Sequence, residues 1–220
     1  MGGHAFRSLY CPRFSLEIYL TTRTLATKVL NTLFTHVVEP AELPSKTNFG
    51  DLDFLVAGPK HAPSSPVDQP HLVELIKAAL NTEYGRRSLP TDGVLFFAIP
   101  APGREEEFHI QIDVHVVEVE GFEWNHFMYR YASGLKMVGS MVKPLGVTLD
   151  PKGCHVRVEE MERGDGPGSM VFVTREPNEV LEIVGLGRKF LEGGFGVNEN
   201  CMDELLRFGE CRLADCMDSV

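Results

Sequence analysis

The sequence predicts an α+β fold, in which a mixed β-sheet is flanked by helices. Two stretches that alternate apolar and polar residues, 49–56 and 108–116, are typical of strands with one buried face. Three stretches with apolar residues at helical spacing, 16–34, 71–81 and 123–141, predict amphipathic helices. With 220 residues, 43% of them hydrophobic, the chain is long enough to bury a sizeable core.

The first elements follow from local signals along the chain. Ser15 stands where it can cap the first helix. A short strand is expected at 36–39, and a loop over 40–48 leads into the first alternating strand, which Gly58-Pro59 ends. This order places the alternating strand directly after a loop.

The second alternating strand is expected to belong to a hairpin. The Pro- and Ser-rich stretch 61–70 predicts a loop before the second helix. The apolar run 94–99 predicts a buried strand, and the charged stretch 104–107 predicts the turn that joins it to the second alternating strand. The two strands should therefore pair antiparallel.

The C-terminal part is expected to be rich in helix. The third helix should end at Pro144, which cannot continue it. The remaining elements are short strands at 155–158 and 170–173 around a glycine-rich turn, a helix from 174 to Gly185 or Gly187, and a last helix capped by Asn198. We accordingly divide the chain into a core, 1–121, and a C-terminal region, 122–220, packed on it.

Composition narrows the classes of function. The formal net charge of −10 disfavours broad, non-specific binding of long nucleic acids. The five cysteines include no Cys-x-x-Cys pair, which argues against a disulfide framework and a structural zinc site. No apolar run could span a bilayer, and the first residues lack the apolar core of a signal peptide. A cytoplasmic protein without a membrane partner is expected.

Three aspartates on the two alternating strands form the candidate site. Asp51 and Asp53 are two residues apart, so they share one face of their strand, and Asp113 lies on the polar face of the other. If the strands are neighbours, the carboxylates converge, and each raises the pKa of the others unless a cation lies between them. Hard oxygen ligands suit Mg²⁺ or Mn²⁺. A solvated sheet face is the alternative interpretation.

A second candidate feature is the locally basic stretch 124–158. Its five Lys and Arg residues outnumber one acidic residue, Asp150, which leaves a local charge of +4. A phosphate-bearing substrate would fit this charge, and an ordinary solvated helix face would produce the same pattern.

The motifs, in their order, resemble the nucleotidyltransferase fold of the DNA polymerase beta superfamily. More narrowly, the chain is similar to a group of small fungal and viral nucleotidyltransferase-like proteins. The matching stretches are SKTNFGDLDFLV (45–56), FHIQIDVH (108–115), YASGLKMVGS (131–140), PLGV (144–147) and VTREPNEVLEIVGL (173–186). The order of the stretches carries the resemblance more than any single motif.

The resemblance implies metal-assisted phosphoryl transfer. In such enzymes the aspartates corresponding to Asp51, Asp53 and Asp113 hold two divalent ions, a hydroxyl attacks the α-phosphorus of a nucleoside triphosphate, and pyrophosphate leaves. Asp113 would also suit the role of proton acceptor. The residues assigned to nucleotide or phosphate contact are Lys46, Asn48, Gly50, His115, Lys136 and Lys143.

The sequence departs from the superfamily pattern at the turn that binds the triphosphate. A Gly-Gly or Gly-Ser turn usually stands about ten residues before the Asp-x-Asp, and its backbone N–H groups face the phosphates. The stretch 38–46 has no such pair. Lys46, Thr47 and Asn48 are the candidates to replace those contacts.

The leading hypothesis is therefore a nucleotidyltransferase with a nucleoside triphosphate as substrate. One alternative on the same fold is an RNA- or tRNA-dependent biosynthetic enzyme, for example an arginine-containing cyclodipeptide synthase, with 124–158 as its RNA face. Another is a non-catalytic interaction module with a purely structural acidic cluster.

Overall fold

The computed structural model describes residues 3–42, 46–60, 69–89, 93–158, 161 and 167–185. The fold class is α+β with a mixed sheet, as predicted. The chain divides into two compact units, Met1–Pro40 with Lys46–Phe122, and Ala41–Ser45 with Glu123–Val220. None of the described helices is both long and apolar enough to cross a membrane.

The first unit contains a five-stranded sheet. Its elements are β1 (Phe14–Ser15), α1 (Leu16–Leu33), β2 (Phe34–Val38), β3 (Asn48–Phe49), β4 (Asp51–Pro59), α2 (Gln69–Leu80), β5 (Tyr84–Arg87), β6 (Val94–Ala101), β7 (Arg104–Val116) and a 3₁₀ turn at Val119–Gly121. The strand order is β2-β4-β7-β6-β5. All neighbours are antiparallel except β4 and β7, which are parallel. Strands β1 and β3 form a separate two-stranded ribbon.

The core of this unit lies on one face of the sheet, against α1 and α2. Apolar residues at helical spacing, such as Ala26 and Leu30 of α1 and Ile76 of α2, are fully buried there. They share one cluster with alternate residues of the strands, such as Phe54 and Ile112. Because only alternate strand residues enter this core, the other residues of β4 and β7 face the opposite side.

The second unit contains one long helix and a small antiparallel sheet. Its elements are α3 (Phe122–Val142), a 3₁₀ turn at Lys143–Leu145, β8 (Val147–Asp150), β9 (Gly153–Arg157), a 3₁₀ turn at Pro167–Ser169, β10 (Met170–Thr174) and α4 (Pro177–Val184). The strand order is β10-β9-β8. Residues of α3 such as Trp124 and Leu135 pack with Cys154 and with Leu181 of α4.

The four predicted helices that begin before residue 186 and the two alternating strands are confirmed to within a few residues. Ser15 occupies the N-cap of α1, but its side chain makes no capping hydrogen bond. Helix α4 begins at Pro177 and not at 174, and it ends at Gly185, one of the two glycines expected, whose φ is +75°. The predicted β6–β7 hairpin is antiparallel, as expected.

Two predictions were wrong in detail, and some strands were not predicted. Residues 104–107 belong to β7, and the chain reverses just before them at Gly103, whose φ is +74°. Helix α2 starts at Gln69, inside the predicted loop 61–70. Strands β5 and β8 were not predicted. The rest of that loop, 61–68, most of the glycine-rich turn, and the C-terminal helix capped by Asn198 lie outside the described residues.

We predict that Gly93→Ala destabilises the first unit more than Gly103→Ala. Both glycines have left-handed backbones, with φ of +66° and +74°, so each alanine carries a strain of about 1–2 kcal/mol. A Cβ at Gly93 would also lie 2.7 Å from the carbonyl oxygen of Val116, whereas a Cβ at Gly103 meets nothing within 4 Å. Urea unfolding of both variants measures the difference, and equal losses would contradict the packing at Gly93.

Candidate functional site

The parallel pairing of β4 with β7 brings the candidate aspartates together. Asp53 is the register partner of Asp113, and Asp51 is the partner of Gln111, one step away on the same face. Neighbouring strands lie about 4.8 Å apart, so directly paired residues are adjacent across the sheet. The two segments that carry the aspartates are therefore neighbours, as the hypothesis requires.

The buried residues of the same strands determine which way the aspartates point. Leu52 and Phe54 of β4, and Ile112 and Val114 of β7, are fully buried in the core between the sheet and the helices. Their alternate neighbours must emerge on the other side of the sheet. Asp51, Asp53, Gln111, Asp113 and His115 accordingly share one polar face.

Two side chains hold the carboxylates on this face. Gln111 Nε2 donates a 2.7 Å hydrogen bond to Asp113 Oδ1. His115 Nε2 lies 3.0 Å from Asp53 Oδ1, and the His115 side chain is 13% exposed against 46% for Asp53. Of the two paired aspartates, Asp53 therefore presents an open carboxylate to solvent, while its imidazole partner is nearly buried.

Burial raises the pKa of the Asp113 carboxyl to about 8. Loss of water is the largest cause, and the negative charges of Asp53 and Asp51 raise the pKa further. The hydrogen bond from Gln111 and the positive charge of Arg86 lower it, and they do not outweigh burial. At neutral pH Asp113 thus carries a proton in the protein without a bound cation.

No pattern in the sequence indicated that Arg86 and the N-terminal segment belong to the candidate site. Arg86 pairs with Phe96 across β5 and β6, and Phe96 pairs with Asp113, so all three share the polar face. The guanidinium carbon lies 4.9 Å from the centre of the Phe96 ring. The Ala5 N–H donates to Gln111 Oε1 at 2.8 Å, and the Ala5 carbonyl accepts from Arg86 Nε at 2.9 Å. Alternation alone could have singled out Gln111, which stands two residues before Asp113.

Lys46, Asn48 and Gly50, the residues next to the start of β4 that were predicted to contact phosphate, lie among protein groups or are buried. The Lys46 ammonium lies 5.1 Å from the centre of the Phe49 ring, and Phe49 belongs to the core. Asn48 Oδ1 accepts a 2.5 Å hydrogen bond from Arg13 Nε. Gly50 is buried. The contacts of the Lys46 and Asn48 side chains are therefore with protein groups next to β4.

Lys136 and Lys143 lie in the second unit and are both exposed. The Lys136 ammonium lies 4.9 Å from the centre of the Tyr129 ring, and the Lys143 carbonyl accepts a hydrogen bond from Arg157.

Trp124 and Phe127, which share a helical stripe in the basic stretch 124–158, are buried in the core of the second unit. These two aromatic rings therefore pack the core and offer no surface for stacking bases.

The carboxylate oxygens of Asp51, Asp53 and Asp113 do not converge on one point in the way that the ligands of a bound metal ion do. In the part of the chain that the structure describes, no three or more His, Cys, Asp or Glu side chains are arranged so that they could hold a metal ion. Instead, Gln111 engages Asp113 and His115 engages Asp53. A cation bound by all three aspartates would require side-chain rotation.

A scan against protein-family models finds no family that matches the chain, and a search of curated proteins finds no relative.

We predict that Asp113→Asn stabilises the fold at alkaline pH. Unfolded Asp ionises near pH 3.9, whereas folded Asp113 keeps its proton up to about pH 8, so the wild-type loses stability as pH rises between these values. Asparagine cannot ionise, and its Oδ1 still accepts from Gln111. The gain should reach at most about 5 kcal/mol at pH 8.5, where the full pKa difference counts, and be close to zero at pH 4. Urea unfolding at both pH values measures it.

The control is Glu106→Gln, which removes one negative charge from the exposed start of β7. A loss of stability in Asp113→Asn at pH 8.5 would contradict the raised pKa.

Proposed function

We propose that the protein is a divalent-metal-dependent nucleotidyltransferase that transfers a nucleoside monophosphate from a nucleoside triphosphate to a hydroxyl acceptor. The supporting observation is the direct pairing of Asp53 with Asp113 on adjacent parallel strands, with Asp51 on the same face. Two segments separated in sequence contribute to one acidic spot, which is the arrangement that this chemistry needs.

The donor chemistry of this face fits Mg²⁺ or Mn²⁺. Asp51, Asp53 and Asp113 supply carboxylate oxygens, the hard ligands that these ions take. The raised pKa of Asp113 is consistent with such a site. A carboxyl that is short of water and close to two other carboxylates favours a bound positive charge, which is a proton when no metal ion is present. We assign these three residues as the ligands.

Divalent ions bound there would neutralise the charge that develops on the transferred phosphoryl group. The chain's own residues would bind, orient and move protons. Asp113 is our candidate to accept the proton of the attacking hydroxyl, because its carboxylate lies directly opposite Asp53 on the polar face. Arg86 supplies positive charge on the same face. It is our candidate for phosphate contact in a chain without the Gly-Gly turn.

We predict that Mn²⁺ together with at least one nucleoside triphosphate raises the thermal stability of the wild-type protein. A ligand at 100 times its dissociation constant adds about 2.7 kcal/mol to the free energy of unfolding. A thermal-shift screen of the four nucleoside triphosphates, with Mn²⁺ and with a chelator, measures the effect. The shift should disappear in Asp51→Asn and Asp113→Asn and persist in Glu106→Gln.

Adding an RNA oligonucleotide to the same thermal-shift assay separates the alternatives. RNA binding that survives chelation would favour an RNA-dependent biosynthetic enzyme that uses the basic stretch 124–158, and such binding should fall steeply with salt. Neither metal nor RNA binding would favour an interaction module. In both cases, the absence of a metal-dependent shift with every nucleoside triphosphate is the result that would contradict the nucleotidyltransferase.

We also predict that Mn²⁺ affinity depends on pH through Asp113. The ion must displace the proton that Asp113 holds below about pH 8. The apparent affinity should therefore rise about tenfold per pH unit below that value and level off above it. Isothermal titration calorimetry in buffers of different ionisation enthalpy measures the affinity and the released proton. An affinity that does not change between pH 6 and pH 8 would contradict Asp113 as a ligand.

A further inference from the structure

We propose that Gln111 is a positioning residue for the Asp113 carboxylate, and that the backbone of residues 3–5 locks Gln111 in the orientation this role requires. The consequence for metal affinity rests on the proposed function. The positioning itself does not, because it concerns contacts within the protein.

The hydrogen bonds of Gln111 define the orientation of its amide. Gln111 is 4% exposed, Oε1 accepts from the Ala5 N–H at 2.8 Å, and Nε2 donates to Asp113 Oδ1 at 2.7 Å. A flipped amide would place its NH₂ against the Ala5 N–H, so that two donors would face each other. The Ala5 N–H therefore selects the orientation in which the NH₂ group points at Asp113.

Gly3 keeps the N-terminal segment close against the same side chain. A Cβ built at Gly3 would lie 2.5 Å from Gln111 Cβ and 2.6 Å from Gln111 Oε1, closer than real Cβ contacts. Gln111 Cβ is fixed to the β7 backbone and cannot move aside easily. Any side chain at position 3 must therefore displace either Gln111 or the segment that holds it.

Arg86 anchors the other side of the same peptide. The Ala5 carbonyl accepts from Arg86 Nε at 2.9 Å, and the Arg86 guanidinium is stacked over Phe96, the register neighbour of Asp113. Phe6 also contacts Tyr84 edge-on, with ring centres 6.4 Å apart. The segment is thus attached to β5 and to β7, on both sides of the strand that lies between them.

Fixing one oxygen of Asp113 determines the direction of the whole carboxylate. With Oδ1 held by Gln111, the remaining lone pairs of the carboxylate have a defined orientation on the polar face. Groups that orient a metal ligand in this way typically account for a 10- to 100-fold difference in metal affinity. We expect loss of the Gln111 contact to weaken Mn²⁺ binding by at least about tenfold.

The experiment compares wild-type protein with Gln111→Met and Gly3→Ala. Methionine keeps the length of the side chain and removes both hydrogen bonds. Alanine at position 3 keeps the Gln111 side chain and forces Gln111 and the N-terminal segment apart. Gly103→Ala is the matched glycine control, because a Cβ there meets nothing within 4 Å. Three-bond scalar couplings report the χ1 rotamers of Asp113 without metal, electron paramagnetic resonance measures Mn²⁺ affinity, and thermal unfolding monitors the fold.

We expect one Asp113 rotamer in the wild-type and in Gly103→Ala, and averaged rotamers in Gln111→Met and Gly3→Ala. Mn²⁺ binding should weaken in the last two. A single Asp113 rotamer that persists in Gln111→Met would overturn the inference, whatever happens to Mn²⁺. If the wild-type binds no Mn²⁺ but the rotamers average in both variants, the proposed function fails and the positioning role stands.

Discussion

The parallel pairing of β4 with β7 aligns the two strands that carry the aspartates. These are the only parallel neighbours among the strands that the structure describes, and each also has an antiparallel partner on its other side. A slip of one residue in either strand would turn its aspartates into the core and its buried residues into water. The hydrophobic core therefore fixes the register, and the register in turn sets Asp53 opposite Asp113.

The same register places Asp113 where its ionised form lowers the stability of the fold. Asp113 loses water and lies close to two other carboxylates, so its ionised form is disfavoured. Gln111 and Arg86 offset only part of that cost. Functional sites commonly contain groups whose pKa is strongly shifted by burial together with specific charges, and structural ion-pair networks shift pKa values as well. The same feature explains why a cation and a proton would compete for one carboxylate.

The parts of the fold that were predictable carry strong periodic signals. Helices α1, α2 and α3 and strands β4 and β7 all bury one regular face, and that face can be read in the sequence. Strand β5 has the sequence YGRR, with no apolar alternation, and it forms because its backbone pairs with β6. The charged residues 104–107 resemble a turn, yet they extend β7 with exposed side chains. In these places tertiary pairing outweighed the local signal.

The residues of each strand that share a face can be read from the sequence, because a strand repeats every two residues whatever surrounds it. The sequence therefore identified Asp51, Asp53 and Asp113 as polar-face residues. Only in the folded chain does Asp53 face Asp113 and does Ala5 hold Gln111. Burial in the fold likewise raises the pKa of Asp113. These properties depend on contacts between distant parts of the chain, such as residues 5 and 111, and local backbone geometry does not encode such contacts.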